Sequence, residues 1–311
     1  LDIPQEKVYT LPNTNKDNRI MTSILKLGIP KGSLESSTLE LFRQAGWTIK
    51  PRSRNYFPSV DDNELSCALV RSQEMGPYVA NGTLDAGLTG QDWIQETEAD
   101  VEVVCDLVYS KTSDQPCRWV LVVDRESSIH SVEDLEGKTI STELVEFTRR
   151  YLAERNIKAR VEFSWGATEA KVVEGLADAA VEITETGSTI KAHGLRIVCD
   201  LLYTHTVLVA NRDSMRDEWK RGKIEQIALL LQSALAARDK VLLKMNIPSS
   251  RIDEAIDLLP SLHAPTINHL HQDDWLAVES VVDKTRVREL IPLLREAGAE
   301  GILELEIHKL V

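Results

Sequence analysis

Gly82-Thr83-Leu84-Asp85-Ala86-Gly87-Leu88 is echoed by Gly175-Leu176-Ala177-Asp178-Ala179-Ala180-Val181. Both segments follow a helical pattern, supply a Gly to end it and launch an apolar run of strand length. Each run then enters a turn rich in Thr and Gly: Thr89-Gly90-Gln91-Asp92 in the first copy, Thr184-Glu185-Thr186-Gly187-Ser188-Thr189 in the second. A Gly-x-x-Asp-Ala connector is common enough to occur twice by chance. Read as a repeat, it gives two related lobes that present strand-end loops to a shared cleft, where ligands of open α/β sheets sit.

Upstream, residues 25–29 predict a buried strand. A helix follows, with Ser33 as N-cap, Leu34, Leu41, Phe42 and Ala45 on one face, and Gly46 as its stop. Further strands are expected at 84–88, 101–108, 119–123, 161–163, 179–183, 197–202 and 207–210, with helices at 144–155 and 168–174. Such alternation predicts an α/β class with largely parallel sheets. The tail reads differently. A long helix over 215–240 precedes a strand at 241–247, helix 251–259, strands 266–271 and 275–282, helix 285–297 and strand 301–310. That βαββαβ order is the ferredoxin-like split unit. In the last strand Leu303, Leu305 and Ile307 alternate with Glu304, Glu306 and His308, which predicts one buried and one wet face.

The 311 residues carry 36 basic and 49 acidic side chains, a net charge of −13. This balance, without a Lys/Arg block, excludes a duplex nucleic-acid partner but not a nucleotide in a locally basic cleft. The four cysteines lack metal spacing and read as buried thiols of a reducing compartment. There is no apolar run of membrane-spanning length, and the polar residues 1–20 read as a flexible leader without the apolar core of a signal peptide. No membrane and a cytoplasmic location are expected.

The strongest chemical signal is the turn at 184–189, which runs into a short helical pattern. By composition alone it is either an ordinary capping turn or a phosphate site built from amides, hydroxyls and a small residue. Pro30-Lys31-Gly32-Ser33 and Arg71-Ser72-Gln73 place two cations at other strand ends. Separately these are solvated surface charges; in one cleft they would face a polyphosphate. His269 and His271 are either exposed strand histidines or a metal pair. Neither a P-loop nor a Gly-x-Gly-x-x-Gly fingerprint occurs.

Together, Leu27-Gly28-Ile29-Pro30-Lys31-Gly32-Ser33-Leu34, the segment from Gly82 to Asp92 and the segment from Gly175 to Thr189 resemble the ATP phosphoribosyltransferase family. Pro265-Thr266-Ile267 and Gly298-Ala299-x-Gly301-Ile302-Leu303 are similar to the regulatory domain of its long form. The resemblance implies a two-lobed periplasmic-binding-protein-like (type II) catalytic core plus a C-terminal ferredoxin-like regulatory domain. The expected division is lobe I at 21–112 plus 202–220, lobe II at 113–201, a linking helix at 221–240 and the regulatory domain at 241–311. It further implies that ATP and phosphoribosyl diphosphate give phosphoribosyl-ATP and diphosphate, with Mg²⁺ held mainly by substrate phosphates.

By the same resemblance, residues 182–189 bind the 5-phosphate and ribose: Glu182 contacts ribose hydroxyls, Thr186, Gly187, Ser188 and Thr189 hold the phosphate, and Thr184 is a further substrate-binding residue. Glu169 lies on the same wall, with Lys31, Gly32, Arg71, Gly90 and Asp92 opposite. Glu182 stands where relatives usually have Asp, and Gln73 where many have Lys. Histidine is the implied inhibitor, held by Asn246, Leu262, Thr266, Val281 and Gly301, in a homodimer that assembles into a homohexamer. Two other classes share the outline: a bilobal solute-binding protein without turnover, and a prephenate-dehydratase-like enzyme.

Overall fold

The computed structural model describes residues 23–52, 55–109, 116–259, 264–271 and 274–311. The leader at 1–20 and Leu262 lie outside the described residues. The chain begins with β1 (Leu25–Lys31), α1 (Glu35–Ala45), the hairpin β2 (Ile49–Arg52) and β3 (Asn55–Val60), then β4 (Leu65–Arg71) and α2 (Ser72–Ala80). Next come β5 (Ala86–Gly90), α3 (Gln91–Thr97), β6 (Glu102–Leu107), β7 (Cys117–Asp124), β8 (Thr139–Thr142) and α4 (Val145–Ala153). β9 (Arg160–Phe163), α5 (Thr168–Val173), β10 (Ala179–Thr184), α6 (Ser188–Ala192), β11 (Leu195–Thr204) and β12 (Thr206–Ala210) follow.

Two five-stranded sheets result, ordered β4-β1-β5-β12-β6 and β9-β8-β10-β7-β11. Read in that direction, both run parallel, parallel, antiparallel, antiparallel, so the lobes share one topology. The expected largely parallel sheets are therefore mixed. The cause is a strand exchange: β12 returns from the second lobe and inserts antiparallel between β5 and β6. Likewise β7 arrives from the first lobe and inserts between β10 and β11.

The Gly-x-x-Asp-Ala echo has a concrete counterpart in this topology. Asp85 donates its amide to the Lys26 carbonyl (2.9 Å) and accepts the Lys26 amide on Oδ2 (2.8 Å). Asp178 does the same with Thr139, at 2.9 and 2.8 Å. In both lobes the aspartate thus pairs the start of the central strand with the start of its neighbour.

Leu25, Leu27 and Ile29 of β1 pack with Leu41 and Phe42 of α1 in the first core. Leu34 rather than Ser33 occupies the cap position of α1, without a side-chain cap bond. The long helix expected at 215–240 is broken: α7 (Arg212–Arg216) ends at Asp217, whose carboxylate caps α8 (Glu218–Ala237) by accepting the Lys220 amide. Ile224, Ile227, Leu231 and Ala234 of α8 lie in the core of the first lobe. At about 1.5–3 kcal/mol per large buried side chain, this face anchors α8 as part of that lobe rather than as a free linker. The boundary expected between 201 and 202 falls inside β11, which stays paired with β7 to Thr204, so the chain crosses lobes at His205.

The tail forms β13 (Lys240–Pro248), α9 (Ile252–Leu258), β14 (Thr266–His269), β15 (Trp275–Asp283), α10 (Val287–Glu296) and β16 (Glu300–Glu306). The sheet order β14-β15-β13-β16 is ferredoxin-like, with both helices on one face. The half-buried reading of the last strand is corrected. Leu303 and Leu305 pair with Lys244 and Leu242 on the face away from the helices, and are 55% and 44% exposed. Among the described residues, no helix is long and apolar enough to cross a membrane.

Candidate active site

Both lobes point the C-terminal ends of their parallel strands into one cleft of about 680 Å³, within the size range of small-molecule sites. Residues 31–34 after β1, 71–73 after β4 and Gly90 after β5 line the first wall. Glu143 after β8, Glu169 on α5 and Glu182, Thr184, Thr186, Ser188 and Thr189 around the end of β10 line the second. Tyr109, Cys117, Trp119 and Thr204 form the floor where the chain crosses between lobes. Except for Gly187, the residues singled out in the core by sequence all reach this cavity.

The two walls carry opposite charge. Lys31 lies over the Tyr56 ring at 3.9 Å, and Arg71 lies 5.6 Å from the ring of Trp165 in the other lobe. The register makes Arg71 and Trp165 repeat equivalents. Lys26 pairs with Ser66 and Thr139 with Arg160, and Arg71 and Trp165 each follow by the same five positions. Opposite them stand Glu143, Glu169 and Glu182. Burial pushes the Glu182 carboxyl up to about 7, the negative charges of Glu169 and Glu143 adding to the shift. Burial likewise raises Glu143, although the Gly166 amide and the Gln73 side chain of the opposite lobe both hydrogen-bond to it.

The turn after β10 is organised by its own hydroxyls. Thr184 Oγ1 accepts the Gly187 amide at 2.8 Å, and Thr186 and Ser188 hydroxyls lie 3.0 Å apart. Gly187 takes φ 75°, and a Cβ there would meet Ile197 Cδ1 at 3.2 Å. It shapes the turn from behind and is not part of the cavity surface. Since α6 has only five residues, its dipole is small, and the exposed hydroxyls and amides are what the turn offers an anion.

Asp92 lines the cleft and also makes a structural contact. It is 3% exposed, its Oδ2 accepts Trp119 Nε1 at 2.7 Å, and its amide donates to Thr204 Oγ1 at 3.1 Å. These partners belong to the second lobe, so the carboxylate ties the lobes at the cleft floor. Burial raises its pKa against the lowering effect of those bonds. Gly90 is required beside it: a Cβ would lie 2.1 Å from Asp92 Oδ1. A second tie is Glu96 of α3, whose carboxylate accepts the Glu146 and Phe147 amides at the start of α4 (3.0 and 2.8 Å). Sequence reading missed Glu143, Tyr109, Trp119 and Trp165. The repeat did not give Glu143 away in sequence, because each aspartate pairs a strand start at a different distance, 59 positions in the first lobe and 39 in the second; only that pairing makes Glu143 the equivalent of Pro30.

Two family models match the chain from residue 71 onward. One described as ATP phosphoribosyltransferase matches residues 71–233, and one described as the HisG C-terminal domain matches 237–309. The chain is 58% identical over 291 residues to ATP phosphoribosyltransferase 1 of Geobacter sulfurreducens, spanning 94% of this chain and 100% of that protein. This chain belongs to the ATP phosphoribosyltransferase family. The Geotalea uraniireducens ATP phosphoribosyltransferase is 56% identical over the same length. Among solved structures, a chain of the ATP phosphoribosyl transferase (HisG:HisZ) complex from Thermotoga maritima matches with a TM-score of 0.58 at 28% identity. That match covers 67% of this chain and 97% of the other. The two-lobed α/β core is thus shared with the family by sequence and by shape, and the C-terminal domain by sequence.

Proposed function

We propose that the cleft condenses ATP with phosphoribosyl diphosphate to give phosphoribosyl-ATP and diphosphate, the histidine-biosynthesis reaction of the family. The observation that carries this reading is the opposition of the hydroxyl-rich turn and Glu182 to the cationic wall of Lys31 and Arg71 across a single cavity. Thr184, Thr186, Ser188 and Thr189 hold the 5-phosphate, and Glu182 accepts the ribose hydroxyls. Lys31 and Arg71 take the diphosphate and the ATP phosphates. Breaking the C1–O bond builds positive charge on the sugar, which the Glu143, Glu169 and Glu182 carboxylates face. It builds negative charge on the leaving group, which the cations face. Positioning and electrostatics of this kind supply the catalysis without a covalent nucleophile.

Among the described residues no group of three His, Cys, Asp or Glu is arranged to hold a metal. The donor set fits Mg²⁺ carried by substrate phosphates with at most one protein carboxylate, Glu169 or Glu182, completing its shell. When bound, the ion would neutralise charge on the diphosphate.

The C-terminal module is the regulatory and assembly part of this reading. Asn246, Thr266 and Val281 lie on the open face of its sheet. Asn246 pairs with Ala277, Thr266 with Glu279 and Val281 with Leu242, and Gly301 adjoins Asn246 with φ 59°. This face offers amides, a hydroxyl and a neutral carboxamide to free histidine, and its exposed Leu303 and Leu305 offer apolar area to a second copy. Homodimers assembling to hexamers follow from that reading. Incubation with ATP, phosphoribosyl diphosphate and Mg²⁺ should produce adduct absorbance and free diphosphate. Binding of both substrates without either product would refute catalysis.

A further inference from the structure

Helix α1 connects two distant parts of the molecule. Its lead-in, residues 31–34, is a wall of the cleft. At its other end, Gly46 returns its amide to the Phe42 and Arg43 carbonyls, which leaves the carbonyls of Gln44 and Ala45 for other donors. Both are taken by the C-terminal tail: Lys309 Nζ donates to Gln44 O at 3.3 Å and to Ala45 O at 3.2 Å. A cation is also what the negative end of the helix favours. The neighbouring Leu310 amide donates to Ser233 O of α8 at 2.9 Å, fixing the tail against the first lobe.

The junction through which the chain enters that module reaches the other end of α1. Arg238, between α8 and β13, lies 5.8 Å from the ring of Tyr109, which is buried in the cleft floor. The Tyr109 hydroxyl lies 2.7 Å from Thr38 Oγ1, which in turn donates to the Leu34 carbonyl at 2.7 Å. With Thr38 Oγ1 donating onward, the phenol donates to it. Leu34 is the cap residue of α1 and lines the cleft.

We propose that α1 is a strut through which the C-terminal module positions the substrate wall at 31–34, with Lys309 and Arg238 as the positioning residues. Its 11 residues make a rod of about 16 Å, and packed rigid elements carry coupling of this kind. A shift of the module relative to the first lobe would pull on both ends of the rod together and displace Lys31 with it. This inference rests on the phosphoribosyltransferase reading for its kinetic readout, but its structural readout does not.

The test uses the full chain with Lys309→Met, which removes the donor and keeps the stem, and with Lys309→Arg as the conservative rescue. Arg238→Met is a second, independent variant. Steady-state KM and kcat are measured for both substrates, together with amide hydrogen exchange over residues 31–48 and mass by light scattering. The expected result for both Met variants is a KM raised at least about threefold for a substrate, kcat changed by less than about twofold and unchanged mass. Exchange should accelerate at 32–38 as well as near the substitution, and Lys309→Arg should restore both. Unchanged KM, or faster exchange confined to 43–48 for Lys309→Met, would overturn the proposal. If the wild-type chain makes no adduct, the functional reading fails, and the exchange comparison alone decides the strut.

Discussion

Replacing Glu182 by Gln tests both the electrostatics of the cleft and the role of its second wall. The carboxyl is raised from its ordinary 4.5 to about 7 by burial and by Glu169 and Glu143. A carboxyl raised on folding binds more protons in the native state, so its contribution to stability is full below pH 4.5. That contribution is lost as pH rises through 7. The difference of the two values corresponds to about 3 kcal/mol between acid and alkaline conditions. Gln is an isostere of the protonated form and does not ionise. The substrate-free Glu182→Gln protein should therefore melt within about 1 °C of the parent at pH 4 and about 6 °C or more above it at pH 8.5. At the same time the ribose hydroxyls lose a charged acceptor, a loss of about 1.5–3 kcal/mol, so KM for phosphoribosyl diphosphate should rise roughly 10–150-fold. Differential scanning fluorimetry across pH and steady-state kinetics read the two effects. A melting difference independent of pH would refute the electrostatic account, and an unchanged KM would remove Glu182 from the sugar site.

Other expectations follow from the same geometry. Lys31→Ala and Arg71→Ala should each weaken substrate binding by about 2 kcal/mol, since each leaves a substrate phosphate charge unpaired. The melting temperature of the empty protein should barely move, and calorimetry with each substrate checks the pair. Gly187→Ala should destabilise the second lobe by about 1–2 kcal/mol through its positive φ, before any effect on phosphate, as urea unfolding will show. Trp119→Phe removes the Asp92 donor and strands a buried carboxylate, for a loss of about 1–3 kcal/mol. That loss should grow as pH rises and Asp92 ionises, and a melt that is flat with pH would contradict it.

The strands that were legible are those with a dense apolar run, such as Leu25, Leu27 and Ile29 in β1 or Val120, Leu121 and Val122 in β7. β8 was not, because Thr139-Ile140-Ser141-Thr142 reads as polar, yet Ser141 and Thr142 are buried between paired strands. α2 was legible only as the helical pattern that Gly82 ends, because Gly76 and Pro77 inside it blur its bounds. In β16 the period of two was correct and the face was not. Alternation shows that a strand has two faces, whereas the position of the helices decides which one is covered.

Local sequence pattern carried the repeat, the ferredoxin-like order of the tail and the three turns, at 31–33, 71–73 and 184–189, that reach the cleft. All three depend on local chemistry: a Gly and an Asp that start a strand, a turn rich in hydroxyls, a cation at a strand end. That Asp92 also ties the two lobes at the cleft floor came from the packing alone, because its partner Trp119 lies 27 positions away on an exchanged strand. The tertiary structure also decided that Glu182 titrates near neutrality, since that shift needs burial together with Glu169 and Glu143 from other elements. The grip of Lys309 on α1 spans 264 positions to Ala45. Interactions between residues so far apart depend on how whole elements pack, and local sequence pattern carries no information about them.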